Sequence, residues 1–305
     1  MERDEIIAAL RKVPGFAADA DGLQIDPLGG LTNRVFRVHG PGDPVVLRLP
    51  GAGTEAYIDR EVEAQNARAA ARAGVSPEVL WVDPPSGVML TRHVAGETMT
   101  PERFRSRPGA PARAAAAFRT LHDSGERFAF RFELFAMLDD YLGVLDRLGA
   151  ALPDGFRAVV AEAEAVRAAL ALRPAPLAPC HCDPLCENFI DTGARMWLVD
   201  WEYSGMNDPL WDLGDLSVEA GFAPDQDREL LEAYCGGPPS PAVTGRVVVY
   251  KAMCDLLWTL WGLIQHANQN PADDFAAYAA ARFARCRALM TDPAFAAHLA
   301  AVRSE

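Results

Sequence analysis

Between Cys180 and Phe189 the chain reads C-H-C-D-P-L-C-E-N-F, and twelve residues beyond Asn188 the run M-W-L-V-D ends on Asp200. Two chemistries compete for this stretch. Cys180, Cys182 and Cys186 beside His181 suggest a soft metal, but zinc wants four ligands, usually two spaced pairs. The other cysteines, Cys235, Cys254 and Cys286, are single and scattered. Packing of small apolar side chains under a loop accounts for them more simply. The residues between the cysteines say more. His181, Asp183 and Asn188 form H-x-D-x-x-x-x-N. Phosphoryl transfer from ATP needs one carboxylate to aim the attacking hydroxyl and take its proton. It also needs an amide oxygen and a second carboxylate to hold magnesium across the phosphates. Asp183 suits the first role. Asn188 and Asp200 suit the second, presented by the short strands N-F-I-D and M-W-L-V-D on either side of the turn T-G-A-R.

Two further stretches carry weaker signals. G-G-L-T-N, Gly29 to Asn33, can offer the backbone N–H groups of Gly30, Leu31, Thr32 and Asn33, with the Thr32 hydroxyl, to phosphate oxygens; a plain turn reads the same way. L-L-W-T-L-W-G-L sets Trp258 and Trp261 three apart, on one face of a helix, which read alone is a core stripe.

The elements that must position these groups fall into two parts. R-V-F-R-V-H and V-V-L-R-L-P read as strands of a hairpin joined by G-P-G-D-P, after a glycine-containing turn D-P-L-G-G-L-T-N-R. Tyr57 to Gly74 is alanine-rich, ends in glycine and predicts a helix; V-L-W-V-D and G-V-M-L-T-R-H-V predict another strand pair. Alanine content and apolar spacing predict helices over 111–123, 132–151, 155–172, 226–234, 241–269 and 272–303. The expected fold class is α+β: a small β-rich lobe over residues 1–93 and a larger, mostly helical lobe over 94–305, joined near Thr91–Ala95.

Charge and composition exclude some partners. The 305 residues carry a formal net charge of −13, which repels nucleic acid and favours a cationic substrate. The N-terminus, M-E-R-D-E-I-I-A-A-L-R-K, lacks the pattern of a signal peptide. The most apolar stretch, 247–264, contains Lys251 and Asp255, so no membrane insertion is expected. Six cysteines without an export signal predict reduced thiols in a cytoplasm.

With these motifs in order and spacing, the chain resembles the choline/ethanolamine kinase family, within the aminoglycoside phosphotransferase, protein-kinase-like superfamily. L-V-D-W-E-Y-S-G-M-N-D-P-L-W-D-L-G-D-L-S-V-E at 198–219 carries the closest likeness, which runs from G-G-L-T-N at 29–33 to Y-A-A-A-R-F at 278–283. The resemblance implies a two-lobed kinase fold, ATP and Mg2+, and transfer of phosphate to the hydroxyl of choline, giving phosphocholine and ADP. It makes Asp183 the base, Asn188 and Asp200 the metal ligands, and His181 a structural histidine. Arg48 becomes the phosphate anchor and Glu63 its helix partner, with Glu61 ranked second. Leu90 and Arg92 fall on the strand, Met89 to His93, whose backbone would meet adenine. Trp258, Trp261, Tyr203 and Tyr278 would wall a quaternary ammonium, with Glu202 and Glu219 as its carboxylates. Such an ammonium has no N–H to donate, and each ring face contributes about 0.5–2 kcal/mol. Asp212 is expected to brace the loop and Asp255 has no assigned role. Cys182 stands where the family often has Asn. The competing readings are an ethanolamine kinase, an aminoglycoside or other small-alcohol kinase, and a non-catalytic binding protein of the same fold. No segment argues for a particular oligomeric state.

Overall fold

The computed structural model describes residues 2–16, 22–29, 33–40, 42–51 and 58–304. An N-terminal helix α1 (Glu2–Leu10) precedes a five-stranded antiparallel sheet of order β1-β2-β3-β5-β4. Its strands are β1 (Gln24–Gly29), β2 (Arg34–His39), β3 (Val45–Leu49), β4 (Val79–Asp83) and β5 (Val88–Arg92), with helix α2 (Arg60–Arg72) inserted after β3. Strand alternation decides what this sheet does. Val45, Leu47 and Leu49 point to one face and join Phe36, Val38 and Leu90 in a core closed by Ile6, Ala9 and Leu10 of α1. Arg48 therefore points the other way, toward α2. Asp59 caps α2, its carboxylate accepting the N–H groups of Glu61 and Val62 at 3.0 and 3.1 Å.

The turn expected at D-P-L-G-G is in part strand β1. It lies at the edge of the sheet, where the missing N–H of Pro27 costs no ladder bond.

After β5 the chain becomes mostly helical, so the two-part α+β arrangement expected from sequence is the one observed. A two-residue strand β6 (Glu97–Thr98) pairs with β8 (Phe189–Asp191), which pairs with β9 (Met196–Leu198). A second small ladder joins β7 (Ala178–Cys180) to β10 (Gly205–Asn207). Around them pack α3 (Pro101–Ser106), α4 (Ala110–His122), α5 (Leu134–Leu148), α6 (Phe156–Leu172), α7 (Leu210–Ala220), α8 (Pro224–Cys235), α9 (Pro241–Ala267), α10 (Phe275–Met290) and α11 (Pro293–Ser304). The single helix expected over 272–303 is two, because Pro293 cannot continue a helix and Asp292 caps the next, accepting from Ala294 N at 2.8 Å. Helix α7 escaped the sequence reading: its glycine and aspartates are weak helix formers, and burial of Trp211, Leu213 and Leu216 holds it.

Helix α9 is long and apolar enough to cross a membrane by length and composition alone, but most of it is buried inside the protein. It is the axis of the helical part. Gly245 lets α11 cross it closely: a Cβ there would lie 2.5 Å from the His298 carbonyl oxygen. Alanine in mid-helix ordinarily stabilises by about 1 kcal/mol. Here the clash is with backbone, and overpacking costs about 1–3 kcal/mol. Gly245→Ala is expected to lower the denaturant midpoint of unfolding; an unchanged or raised midpoint would show that α11 can move aside.

Candidate active site

The loop 181–185 leaves β7 and is held from beneath by one carboxylate. Asp212, buried in the first turn of α7, accepts the N–H groups of His181 and Cys182, both at 2.8 Å, and Nε2 of His122 at 3.0 Å. His181 donates from Nε2 to the Val199 carbonyl at 2.9 Å and packs its ring 4.8 Å from that of Trp201. Burial lowers the affinity of its imidazole for a second proton. Trp211 donates to the Cys182 carbonyl at 3.1 Å. These bonds fix where Asp183 begins. A 3-10 turn over Cys186–Asn188 follows, and Asn188 donates its amide nitrogen to the Asp183 carbonyl at 3.0 Å. The Val199 N–H reaches the Asn188 carbonyl at 3.0 Å, so Asn188 and Asp200 come from facing chains of one hairpin. Cys182 and Asp200 both have φ of 66°, a left-handed backbone that non-glycine residues seldom adopt and that clusters at functional sites.

From the sheet side Arg48 reaches the same place. Its guanidinium pairs with Glu63 through both nitrogens, Nη2 to Oε2 at 2.8 Å, and donates to the Gly87 carbonyl at 3.1 Å. Asp200 lies 3.5 Å from it. Arg60 bridges Glu63 at 2.8 Å and Glu202 at 2.5 Å, while Asn33 donates to Glu202 at 2.9 Å and Asp200 at 3.4 Å. Glu61 is exposed, so the helix carboxylate on Arg48 is Glu63. Burial alone would raise the pKa of Glu63, but Arg48 and Arg60 hold it below the ordinary carboxylate value.

Three aspartates go the other way. Burial, then the charges of Glu219 and Asp200, push Asp183 well above the ordinary carboxylate range. Burial and the neighbouring Glu202 push Asp200 up to about 7. Its Oδ1 is buried with no hydrogen-bond partner among the described residues. Asp215, one turn along α7 from Asp212, is raised by burial and by Glu219 and Asp183; the Cys254 thiol donates to it at 2.9 Å.

Tyr203, three residues beyond Asp200, begins a chain of rings. Tyr203 and Trp258 have centroids 5.4 Å apart, Trp258 and Trp261 6.2 Å, and Trp261 and Tyr278 5.9 Å, all edge to face. Phe275 closes against Trp261 at 5.4 Å. Arg282 sits over Tyr278, its guanidinium carbon 4.7 Å from the ring centroid, and pairs with Glu219 and, at 3.3 Å, with Asp255. The site thus joins a buried guanidinium, oxygen donors and a linked set of rings, of which Tyr278 feels the charge of Asp183.

Comparison with known proteins gives this arrangement a name. Residues 24–243 match the phosphotransferase enzyme family. The crystal structure of a choline/ethanolamine kinase family protein from Mesorhizobium loti is 63% identical in sequence, covers 100% of both chains and superposes with a TM-score of 0.93. The chain belongs to the choline/ethanolamine kinase family. Protein LicA of Haemophilus influenzae is 30% identical over 83% of this chain and 77% of its own length. Choline kinase LicA from Streptococcus pneumoniae, at 23% identity, covers 95% of this chain and 99% of its own, and shares the fold with a TM-score of 0.78. The protein is accordingly an ATP-dependent phosphotransferase built on the protein-kinase-like fold.

Several residues of this kinase sit elsewhere than the sequence suggested. Leu90, expected beside adenine, is a core residue under α1, and its strand is paired on both edges, with β3 and with β4. Arg92 is at the surface, 2.8 Å from Glu78. The correction has a plain cause: main chain inside a ladder has no hydrogen bonds left for a ligand. Glu202, expected at the amine, is committed to Arg60 and Asn33, beside Arg48. Gly30, Leu31 and Thr32 lie outside the described residues. Cys180, Cys182 and Cys186 are buried, and burial, assisted by Asp212 for the first two and by Glu187 for Cys186, raises the pKa of their thiols.

Three site residues were not anticipated: Arg60, Asp215 and Arg282. Arg282 lies four residues from Tyr278, one helical turn, and that spacing was the available signal. Asp212→Asn replaces an acceptor facing two buried N–H groups with a partial donor. A loss of about 2–4 kcal/mol of stability is expected in denaturant unfolding, with a fall in kcat; near-normal values of both would remove Asp212 as the brace.

Proposed function

We propose that this kinase transfers the γ-phosphoryl group of ATP to the hydroxyl of choline, releasing phosphocholine and ADP. The observation that carries the choline assignment is the linked set of rings Tyr203, Trp258, Trp261 and Tyr278 within electrostatic reach of Asp183. A trimethylammonium is held by ring faces and by nearby negative charge, without hydrogen bonds. The name of the streptococcal neighbour, a choline kinase, agrees with this reading. That of the Mesorhizobium relative leaves ethanolamine as the rival.

Asp183 orients the hydroxyl. As the new O–P bond forms and the bond to ADP breaks, the hydroxyl proton passes to its carboxylate, whose raised pKa suits it to accept one. Arg48, pinned by Glu63 and the Gly87 carbonyl, meets the phosphate tail. Two Mg2+ ligands fit the structure: Asp200 has a buried oxygen, Oδ1, that accepts no hydrogen bond among the described residues and has Arg48 at 3.5 Å, and Asn188, its nitrogen spent on the Asp183 carbonyl, has its oxygen left to donate. Oxygen-only sets suit magnesium, which when bound offsets the phosphate charge. Reduced thiols and an amino-alcohol substrate accord with a cytoplasmic setting.

The test is transfer from ATP to choline, ethanolamine, its methylated intermediates and an aminoglycoside, with and without magnesium. Choline with magnesium is expected to give the highest kcat/KM. A best rate on ethanolamine or on the antibiotic transfers the assignment to that substrate, and ATP binding without transfer to any makes the protein a binding module. Asp183→Asn should lower kcat about 10²–10⁴-fold; turnover within about threefold of wild type would remove it as the base. Because Asp200 titrates near pH 7, its protonated form below that pH has no charge to offer a cation. Magnesium affinity should therefore fall between about pH 8 and about pH 6, and this fall should vanish in Asp200→Asn.

A further inference from the structure

The amine end of the site already contains a cation. Arg282 of α10 keeps only 4% of its side chain exposed, and Glu219 of α7 11%. The guanidinium takes the Glu219 carboxylate and one face of Tyr278 together, which are two of the attractions an incoming ammonium would use. We propose that Arg282 is a specificity-determining residue, a resident cation that withholds Glu219 from the substrate and so favours a quaternary over a primary ammonium.

The argument rests on the choline reading above and turns on what each amine loses on entering a box of rings. A primary ammonium has three N–H donors, all hydrated in water, and each left without an acceptor costs its full desolvation. Glu219 would be the acceptor, but Arg282 occupies its Oε1 and offsets its charge. A trimethylammonium has no N–H and loses nothing by this arrangement. Repulsion from the Arg282 charge acts on both amines alike and cancels from their ratio. The rings farther from Arg282, Trp258, Trp261 and Tyr203, remain for the methyl groups in either case.

The neighbouring contacts make the residue separable from the scaffold. Asp255, the second partner of Arg282, is also held by Arg285, at 2.6 Å through Nη2 and 3.1 Å through Nε. Loss of Arg282 therefore leaves Asp255 paired and releases one carboxylate, Glu219.

The experiment compares kcat/KM for ethanolamine with kcat/KM for choline in wild type, Arg282→Gln, Arg282→Lys and the double variant Glu219→Gln/Arg282→Gln. In R282Q the ethanolamine-to-choline ratio should rise about tenfold or more, the size of one hydrogen bond to a charged group, mainly through a lower KM for ethanolamine. R282K, which keeps a cation on Glu219, should stay within about threefold of the wild-type ratio, and so should the double variant, which has no carboxylate to release. An unchanged ratio in R282Q, an equal loss on both amines with or without loss of fold, or a raised ratio that persists in the double variant would each overturn the inference. These outcomes are distinct from failure of the choline reading, which shows as a wild-type enzyme unable to phosphorylate choline and removes both.

Discussion

Carboxylates crowd this cleft, and the rest of the structure answers to that crowding. Glu63, Asp200 and Glu202 gather at Arg48; Asp183, Asp215 and Glu219 form a second group. Like charges drawn together out of bulk water repel and lose hydration, so each must find a cation or take up a proton. The protein supplies some of both. Arg48 and Arg60 neutralise Glu63 and Glu202, and Arg282 neutralises Glu219. Asp183, Asp200 and Asp215 are left with raised proton affinity. What remains uncompensated marks where outside cations are wanted: at Asp200, where we propose magnesium, and around Asp183, where we propose the substrate's ammonium. The net charge of −13 for the whole chain adds a weaker, longer-range attraction in the same sense.

The scaffold's task is to keep these groups from relaxing apart. Asp212 does so for the loop before Asp183, because a carboxylate receiving two main-chain N–H groups and an imidazole fixes three segments at once. The β8–β9 hairpin does so for Asn188 and Asp200. On the sheet side, strand alternation aims Arg48 away from the α1 core and the Asp59 cap positions the first turn of α2, from which Glu63 answers it. Helices α9 and α10 hold the rings. Gly262 is needed there, since a Cβ would lie 2.7 Å from Cδ1 of Tyr278. Each part of the site is thus mounted on a different pair of elements, and the charge network spans them.

How much of this was legible in the sequence follows from how local each signal was. Strands with period-two alternation, alanine-rich helices and H-x-D-x-x-x-x-N are short-range patterns, and reading them led to the right fold class and family. Arg48 follows from the resemblance, which implies a strand residue in that place. Arg60 and Arg282 do not: the spacing of Tyr278 and Arg282 sets those two on one helix face, but whether either guanidinium is buried depends on Glu202 and Glu219, 142 and 63 residues distant. Leu90 was misassigned for the same reason, since whether a strand has a free edge depends on which strands flank it. The interval 210–220 is helical against its weak propensity because tertiary burial overrides it.

The cysteines that drew attention first show how a local departure is absorbed. Residue 182 has a left-handed backbone, a conformation that suits Asn better than the Cys found here. The strain is real, of order 1–3 kcal/mol, yet the surroundings over-determine the conformation. The Cys182 N–H is held by Asp212 at 2.8 Å, its carbonyl by Trp211 at 3.1 Å, and its sulfur meets the Asn207 amide at 3.7 Å. With both main-chain polar groups committed and the side chain enclosed, relaxing φ would break two buried hydrogen bonds, together worth more than the strain relieved. The thiol occupies its place as a small buried group, and the conformation belongs to the loop rather than to the residue that fills it.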